Sequence, residues 1–141
     1  MSEVRVLASP ADTQRLGAEL AAELPPGGIV GLVGVLGAGK TTLAAGLLGA
    51  LEVEGDVVSP TFLGLRRYRT RAGGVVYHVD LYRTDTAAWL WGEGFFDDLD
   101  AGARAVIEWI DRDPSLAEEA WVVVELAVEG SGLRATIVRR S

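Results

Sequence analysis

The chain has no cysteine and no asparagine, and it has one histidine and one lysine in 141 residues. Without cysteine there can be no disulfide, no thiolate zinc site and no thiol nucleophile. A single histidine, His78, excludes a site built on paired imidazoles. GTPases read guanine with an Asn-Lys-x-Asp or Thr-Lys-x-Asp segment, and none is present. Positive charge is scarce as well: 13 Lys and Arg stand against 20 Asp and Glu, a net charge of −7. That balance argues against coating nucleic acid by charge alone. No apolar run reaches the 18 or so residues of a membrane span, so no transmembrane helix is expected. Met1–Pro10 holds Glu3 and Arg5 and lacks an apolar core, so no secretory signal is expected and cytoplasm is the default location.

What is there fits one domain over residues 1–141. Apolar residues make up 49% of the chain, enough for a core without covalent staples. Charge is uneven. Residues 61–83 carry five basic groups and one acidic group, whereas the flanking segments are acidic. Structure signals alternate along the chain. Val4–Ala8 reads as a strand. Ser9-Pro10 is a helix start, and Leu16, Leu20 and Leu24 form one stripe of a helix over Ala11–Leu24. Ile29–Val33 is a short apolar run, hence a buried strand. Lys40–Leu51 reads as an Ala- and Leu-rich helix. Phe62–Thr70 and Val75–Asp80 flank a glycine turn, Ala105–Trp109 is a strand that carries a carboxylate near its end, and Trp121–Val128 with Leu133–Val138 predicts a second hairpin.

Gly34-Val35-Leu36-Gly37-Ala38-Gly39-Lys40-Thr41 matches G-x-x-x-x-G-K-[ST] at every fixed position, between a strand and a helix. Glycines let the backbone approach a polyphosphate, and successive N–H groups at a helix start form an anion cradle. Lys40 would place a charge on the β- and γ-phosphates. The Thr41 hydroxyl is a hard oxygen for Mg²⁺, and Thr42 can touch the α-phosphate. The sole lysine of the chain thus lies where this chemistry needs one. The fold expected is α/β: a P-loop NTPase-like central sheet, mostly parallel with antiparallel hairpin additions, and helices on both faces.

A metal-bound triphosphate also needs a carboxylate at the end of a neighbouring strand. Asp80 ends Val75–Asp80 and Glu108 follows Ala105-Val106-Ile107, and either can take that role. His78 shares a strand face with Asp80. It either orients that carboxylate or packs in the interior, and packing is the favoured reading. Arg67, Arg69 and Arg71 would line one strand face, as a contact for RNA phosphate or as a solvated surface. Trp89, Trp91, Phe95 and Phe96 read as core or partner contact. Trp109 either shields the site or packs.

Gly34–Leu43, Ser59-Pro60-Thr61-Phe62, His78-Val79-Asp80-Leu81-Tyr82-Arg83 and Ile107-Glu108-Trp109 follow one another in an order that resembles the TsaE family. These are small bacterial P-loop ATPases of tRNA threonylcarbamoyladenosine biosynthesis. The resemblance implies ATP and Mg²⁺ as ligands. It implies nucleotide contacts from Thr13, Gly37, Ala38, Gly39, Lys40, Thr41, Thr42, Thr61 and Trp109. Metal ligation would come from Thr41, Glu108 and Asp80, and hydrolysis would need Lys40, Asp80 and Glu108. It further implies TsaB and TsaD as partners, with tRNA engaged indirectly through their complex and ATP hydrolysis resetting that complex between turnovers. The chain departs from the pattern in three places: the family usually carries Asp where Val35 stands and Lys at the Val58 position, and it favours an acidic Pro-Glu-Glu-Leu helix where this chain has Thr86-Ala87-Ala88-Trp89-Leu90. A small-molecule kinase and a nucleotide-gated binding module with negligible hydrolysis are the alternatives that share the phosphate loop.

Overall fold

Strand Ile29–Val33 is apolar along its whole length, so both of its faces must be covered, and a central place in a sheet provides that. The computed structural model describes residues 2–35, 39–57, 60, 64–84 and 86–140. Among these, seven strands form one sheet: β1 (Ser2–Leu7), β2 (Ile29–Val33), β3 (Leu65–Arg69), β4 (Val75–Asp80), β5 (Arg104–Glu108), β6 (Val122–Glu129) and β7 (Gly132–Arg139). Their order is β1-β7-β6-β2-β5-β4-β3. The central run β6-β2-β5-β4 is parallel. Antiparallel pairings close the two sides, β3 on β4 at one and β7 and β1 beyond β6 at the other. This is the α/β sheet with hairpin additions that the residue pattern predicts.

Two long helices cover one face. Helix α1 (Pro10–Glu23) starts where Ser9 accepts a hydrogen bond from the Asp12 amide and Pro10 occupies the first turn. It buries Thr13, Leu16, Gly17, Leu20 and Ala21 on one stripe. Helix α2 (Lys40–Ala50) buries Leu43, Ala44, Leu47 and Leu48. The two helices meet at Gly17 and Gly46. A methyl group on Gly17 would strike the Leu43 carbonyl oxygen and come within 2.8 Å of the Leu47 nitrogen, and one on Gly46 would strike the backbone of Gln14. The pair therefore packs backbone to backbone over Val30, Leu32, Val106, Val122 and Val124.

The opposite face is covered by short pieces: 3₁₀ turns at Ala88–Glu93 and Ile110–Arg112, helix α3 (Phe95–Asp100) and helix α4 (Pro114–Glu118). Phe95, Leu90, Ile110 and Leu116 pack there against Ile29, Tyr77, Val79, Ala105 and Ile107. Asp113 joins two of these pieces. It caps α4 by accepting from the Leu116 amide at 3.2 Å, and it accepts from the Ala87 amide at 2.7 Å. Of the aromatic cluster, Phe95 is core, whereas Trp91 is 68% exposed and lies against Phe96.

Two arginines of the basic run, Arg67 and Arg71, have acidic partners within the chain. Arg67 donates to Asp98 at 3.2 Å, beside a Tyr77–Asp98 hydrogen bond of 2.5 Å, and Arg71 lies 3.5 Å from Glu52. Strand β3 stops at Arg69, so Arg71 belongs to the following turn and does not extend a three-arginine stripe.

Candidate functional site

The parallel strands β2, β5 and β4 point their carboxyl ends the same way, and ligands of open α/β sheets bind beyond such ends. Here the register matters. Asp80 is the direct neighbour of Glu108, and Leu32 is the neighbour of Glu108 on its other side. Side chains repeat every two residues on a strand, so Asp80, His78 and Glu108 all emerge on the α2 face, level with the first turn of that helix. Gly39 precedes α2 with φ of 87°, a left-handed conformation suited to glycine.

Lys40, in the first turn of α2, is only 4% exposed. Its ammonium donates to the carbonyl oxygens of Gly34 at 2.7 Å and Val35 at 2.8 Å, and it lies 4.2 Å from the centre of the Trp109 ring. Burial pushes the Lys40 pKa down from its ordinary value, while the charges of Glu108, Asp80 and Asp111 oppose that shift. Next to it, the Thr41 hydroxyl donates to Glu108 Oε1 at 3.0 Å. Glu108 is 3% exposed, and its second oxygen, Oε2, is 2.6 Å from His78 Nε2. Asp80 Oδ1 accepts from the Tyr82 amide at 2.8 Å, which folds the chain back just after β4.

Trp109 holds a left-handed backbone, φ 60° and ψ 37°, directly after Glu108. A bulky residue there costs about 1–2 kcal/mol, so its neighbours must hold it in place. Tyr82 lies 4.9 Å from the Trp109 ring, and the Arg112 guanidinium lies 5.4 Å from its centre.

A cavity of about 340 Å³ opens on the other side of Gly39. Thr13, Gly39, Thr42, Pro10 and Leu133 line it, together with the Gly130–Gly132 turn between β6 and β7. It is bounded by apolar and small side chains, and a methyl group on Gly39 would come within 2.7 Å of Leu133.

The structure thus gathers Lys40, Thr41, Asp80, Glu108 and Trp109 in one cluster, and Thr13, Gly39 and Thr42 at the adjoining cavity. Gly37, Ala38 and Thr61 lie outside the described residues. One reading changes: His78 is buried, as expected, but its hydrogen bond goes to Glu108 on the neighbouring strand and not to Asp80 on its own. Tyr82, Asp111 and Arg112, which surround Lys40 and Trp109, were not evident from sequence spacing. Among the described residues no group of three or more Asp, Glu or His converges on one point. Two carboxylates and one hydroxyl suit Mg²⁺, which takes few protein oxygens and keeps waters or phosphate oxygens in its remaining positions. No helix of the described residues is long and apolar enough to cross a membrane.

Comparison with known proteins places the chain in a family. The chain is 41% identical over 111 residues to the tRNA threonylcarbamoyladenosine biosynthesis protein TsaE of Synechocystis, spanning 76% of this chain and 69% of that protein. It is 39% identical over 131 residues to TsaE of Mycobacterium tuberculosis, spanning 92% and 69%. It is 36% identical over 131 residues to TsaE of Treponema pallidum, spanning 87% and 90%. The crystal structure of YdiB from Bacillus subtilis shares the fold, with a TM-score of 0.72 at 21% identity over 99% of this chain and 86% of that one. The family model described as threonylcarbamoyl adenosine biosynthesis protein TsaE matches residues 7–136, and the chain accordingly belongs to the TsaE family of tRNA threonylcarbamoyladenosine biosynthesis.

Proposed function

We propose that the protein is a Mg²⁺-dependent ATPase that supports threonylcarbamoylation of tRNA adenosine 37 by binding and resetting a TsaB–TsaD complex. The observation that carries this reading is the Thr41–Glu108 hydrogen bond of 3.0 Å beside the buried Lys40 ammonium. A phosphate-loop threonine and a strand-end carboxylate in contact are the pair that shares a magnesium ion in P-loop NTPases. Thr41 and Glu108 would hold the ion, with Asp80 beside them. When bound, it would neutralise charge on the β- and γ-phosphates.

The chain's own groups do the rest. Lys40 would exchange the Gly34 and Val35 carbonyls for phosphate oxygens, and its charge would be worth more in this buried setting than in water. Trp109 would shield the Lys40 side of the site from solvent. The cavity lined by Thr13, Thr42 and Leu133 would take the adenine base against its apolar wall. The acidic surface and the internally paired arginines support tRNA engagement through partners and not through this chain directly.

The test is phosphate release by the purified protein, alone and with TsaB and TsaD. Slow release alone, faster release with the partners, and loss of both in Lys40→Ala are expected. Equal turnover by Lys40→Ala and wild type would end this reading. Release that responds to a small-molecule acceptor and not to the partners would replace it with a kinase.

A further inference from the structure

His78 is the only histidine, it is 1% exposed, and nothing in the chemistry above uses it. Strand β4 carries it one residue pair below Asp80, and the parallel register with β5 sets it diagonally below Glu108. Its Nε2 lies 2.6 Å from Glu108 Oε2, and its Nδ1 has no hydrogen-bond partner among the described residues. A carboxylate that is to receive a metal is ionised and only accepts, and in that state the donor to Glu108 is the Nε2–H.

This bond divides the labour of a buried carboxylate. The last torsion of a glutamate is broad, so the plane of its carboxylate can turn unless a partner holds it. His78 takes Oε2, which leaves Oε1 to face the Thr41 hydroxyl at 3.0 Å. We propose that His78 is a positioning residue: its Nε2–H fixes the Glu108 carboxylate so that Oε1 is presented to Thr41, the place where the metal–nucleotide is received. The role rests on the nucleotide reading for its purpose, but the orienting contact stands on geometry alone. His78 itself touches neither Thr41 nor the phosphate loop in any described contact, so its effect passes through Glu108. Groups that orient a metal-binding carboxylate typically change metal affinity by about 10–100-fold when removed.

Two measurements test this on the full chain. The first is the Mg²⁺ concentration that half-saturates ATP-dependent phosphate release, set beside ATP affinity in EDTA. In His78→Leu, which keeps an apolar volume but no donor, the Mg²⁺ requirement is expected to rise about tenfold while metal-free ATP affinity stays within about twofold. His78→Gln can bring an amide N–H close to the lost position and is expected to recover most of the difference. His78→Asn falls short of Glu108 and is expected to behave as the leucine variant does, which keeps the comparison available should leucine not fold. The second is the ligand-free crystal structure of each variant. The Glu108 carboxylate is expected to turn away from Thr41 in the leucine and asparagine variants and to stay in the glutamine variant. An unchanged carboxylate together with an unchanged Mg²⁺ requirement would overturn the proposal, as would glutamine failing where histidine succeeds. If wild type bound no ATP, the nucleotide reading would fall, and the crystal structures would still decide whether His78 orients Glu108.

Discussion

The Lys40 ammonium lies over the Trp109 ring, 4.2 Å from its centre, although the two residues belong to different elements. A desolvated cation over indole is worth about 2 kcal/mol, comparable to the backbone cost of holding Trp109 left-handed. The two features sustain each other: the contact needs the ring to turn inward, and the left-handed residue turns it. Any ligand that draws Lys40 away therefore changes the surroundings of this tryptophan. Adding ATP with Mg²⁺ is expected to shift the tryptophan emission. Trp109→Phe is expected to remove most of that shift, whereas Trp91→Phe, on an exposed face distant in sequence from the phosphate loop, leaves it in place. Fluorescence titration of the two variants decides it.

Glu108→Gln keeps the shape of the side chain and removes its charge. The amide can still meet Thr41 or His78, so the fold is expected to survive with little change in melting temperature. Loss of the carboxylate charge is expected to lower phosphate release by about 100-fold or more, the scale for removing one charge-stabilising group. Steady-state phosphate release beside a thermal melt separates the two effects. A variant as active as wild type would exclude Glu108 from the site.

Two glycines of the long helices call for opposite outcomes from the same change. Replacing a helical glycine by alanine gains up to about 1 kcal/mol from chain entropy. At Gly17 the new methyl would collide with the Leu43 carbonyl, and backbone cannot be moved aside as a flexible side chain can. Overpacking of about 1–3 kcal/mol is expected to win there, so Gly17→Ala lowers the midpoint of denaturation. At Gly49, in the last turn of α2, no described atom beyond its chain neighbours and the helix's own backbone lies within 4 Å of the added carbon. Gly49→Ala is expected to raise the midpoint by the entropic amount. Urea unfolding of both variants checks the pair of signs.

Asp113 should make part of the fold acid-sensitive. The Ala87 amide and then the Leu116 amide hold its carboxyl below the usual carboxylate range. A carboxyl with a depressed folded value contributes stability above its unfolded value, and that contribution fades as pH falls through the folded value. Asp113→Asn can still cap α4 but no longer titrates in this range. The variant is therefore expected to melt below wild type at pH 7 and to approach it as pH falls below the ordinary aspartate value of about 3.9. A gap that stayed constant across that range would show that charge at Asp113 is not what joins Ala87 to α4.

Local order in the chain was legible where one segment carries its own signal. The stripe of α1, the start of α2 at Lys40 and the strand ends at Asp80 and Glu108 all read correctly, because each depends on spacing within about ten residues. The short pieces over the second face did not. Helices of five or six residues such as α3 and α4 are too brief to show a period, and their places are set by Phe95, Leu116 and the Asp113 cap. The partner of His78 was hidden for a different reason. Period-two alternation sets it beside Asp80, but which strand lies alongside is a matter of sheet order, and β5 follows β4 only after an intervening 3₁₀ turn and helix α3. The partners of the arginine run were hidden in the same way, since Asp98 and Glu52 approach it from other segments.

Among the described residues the edge strand β1 has a single neighbour, β7, with Ser2 beside Val138 and Leu7 beside Leu133. During synthesis β1 leaves the ribosome well before β7 and must wait for it before it can join the sheet. Closing so long a loop is slow compared with forming the α1–α2 pair. Maturation of this protein should accordingly end with a late zipping step that a nascent chain stalled short of residue 132 cannot take, leaving Val4 and Val6 without a mate and open to capture by a chaperone.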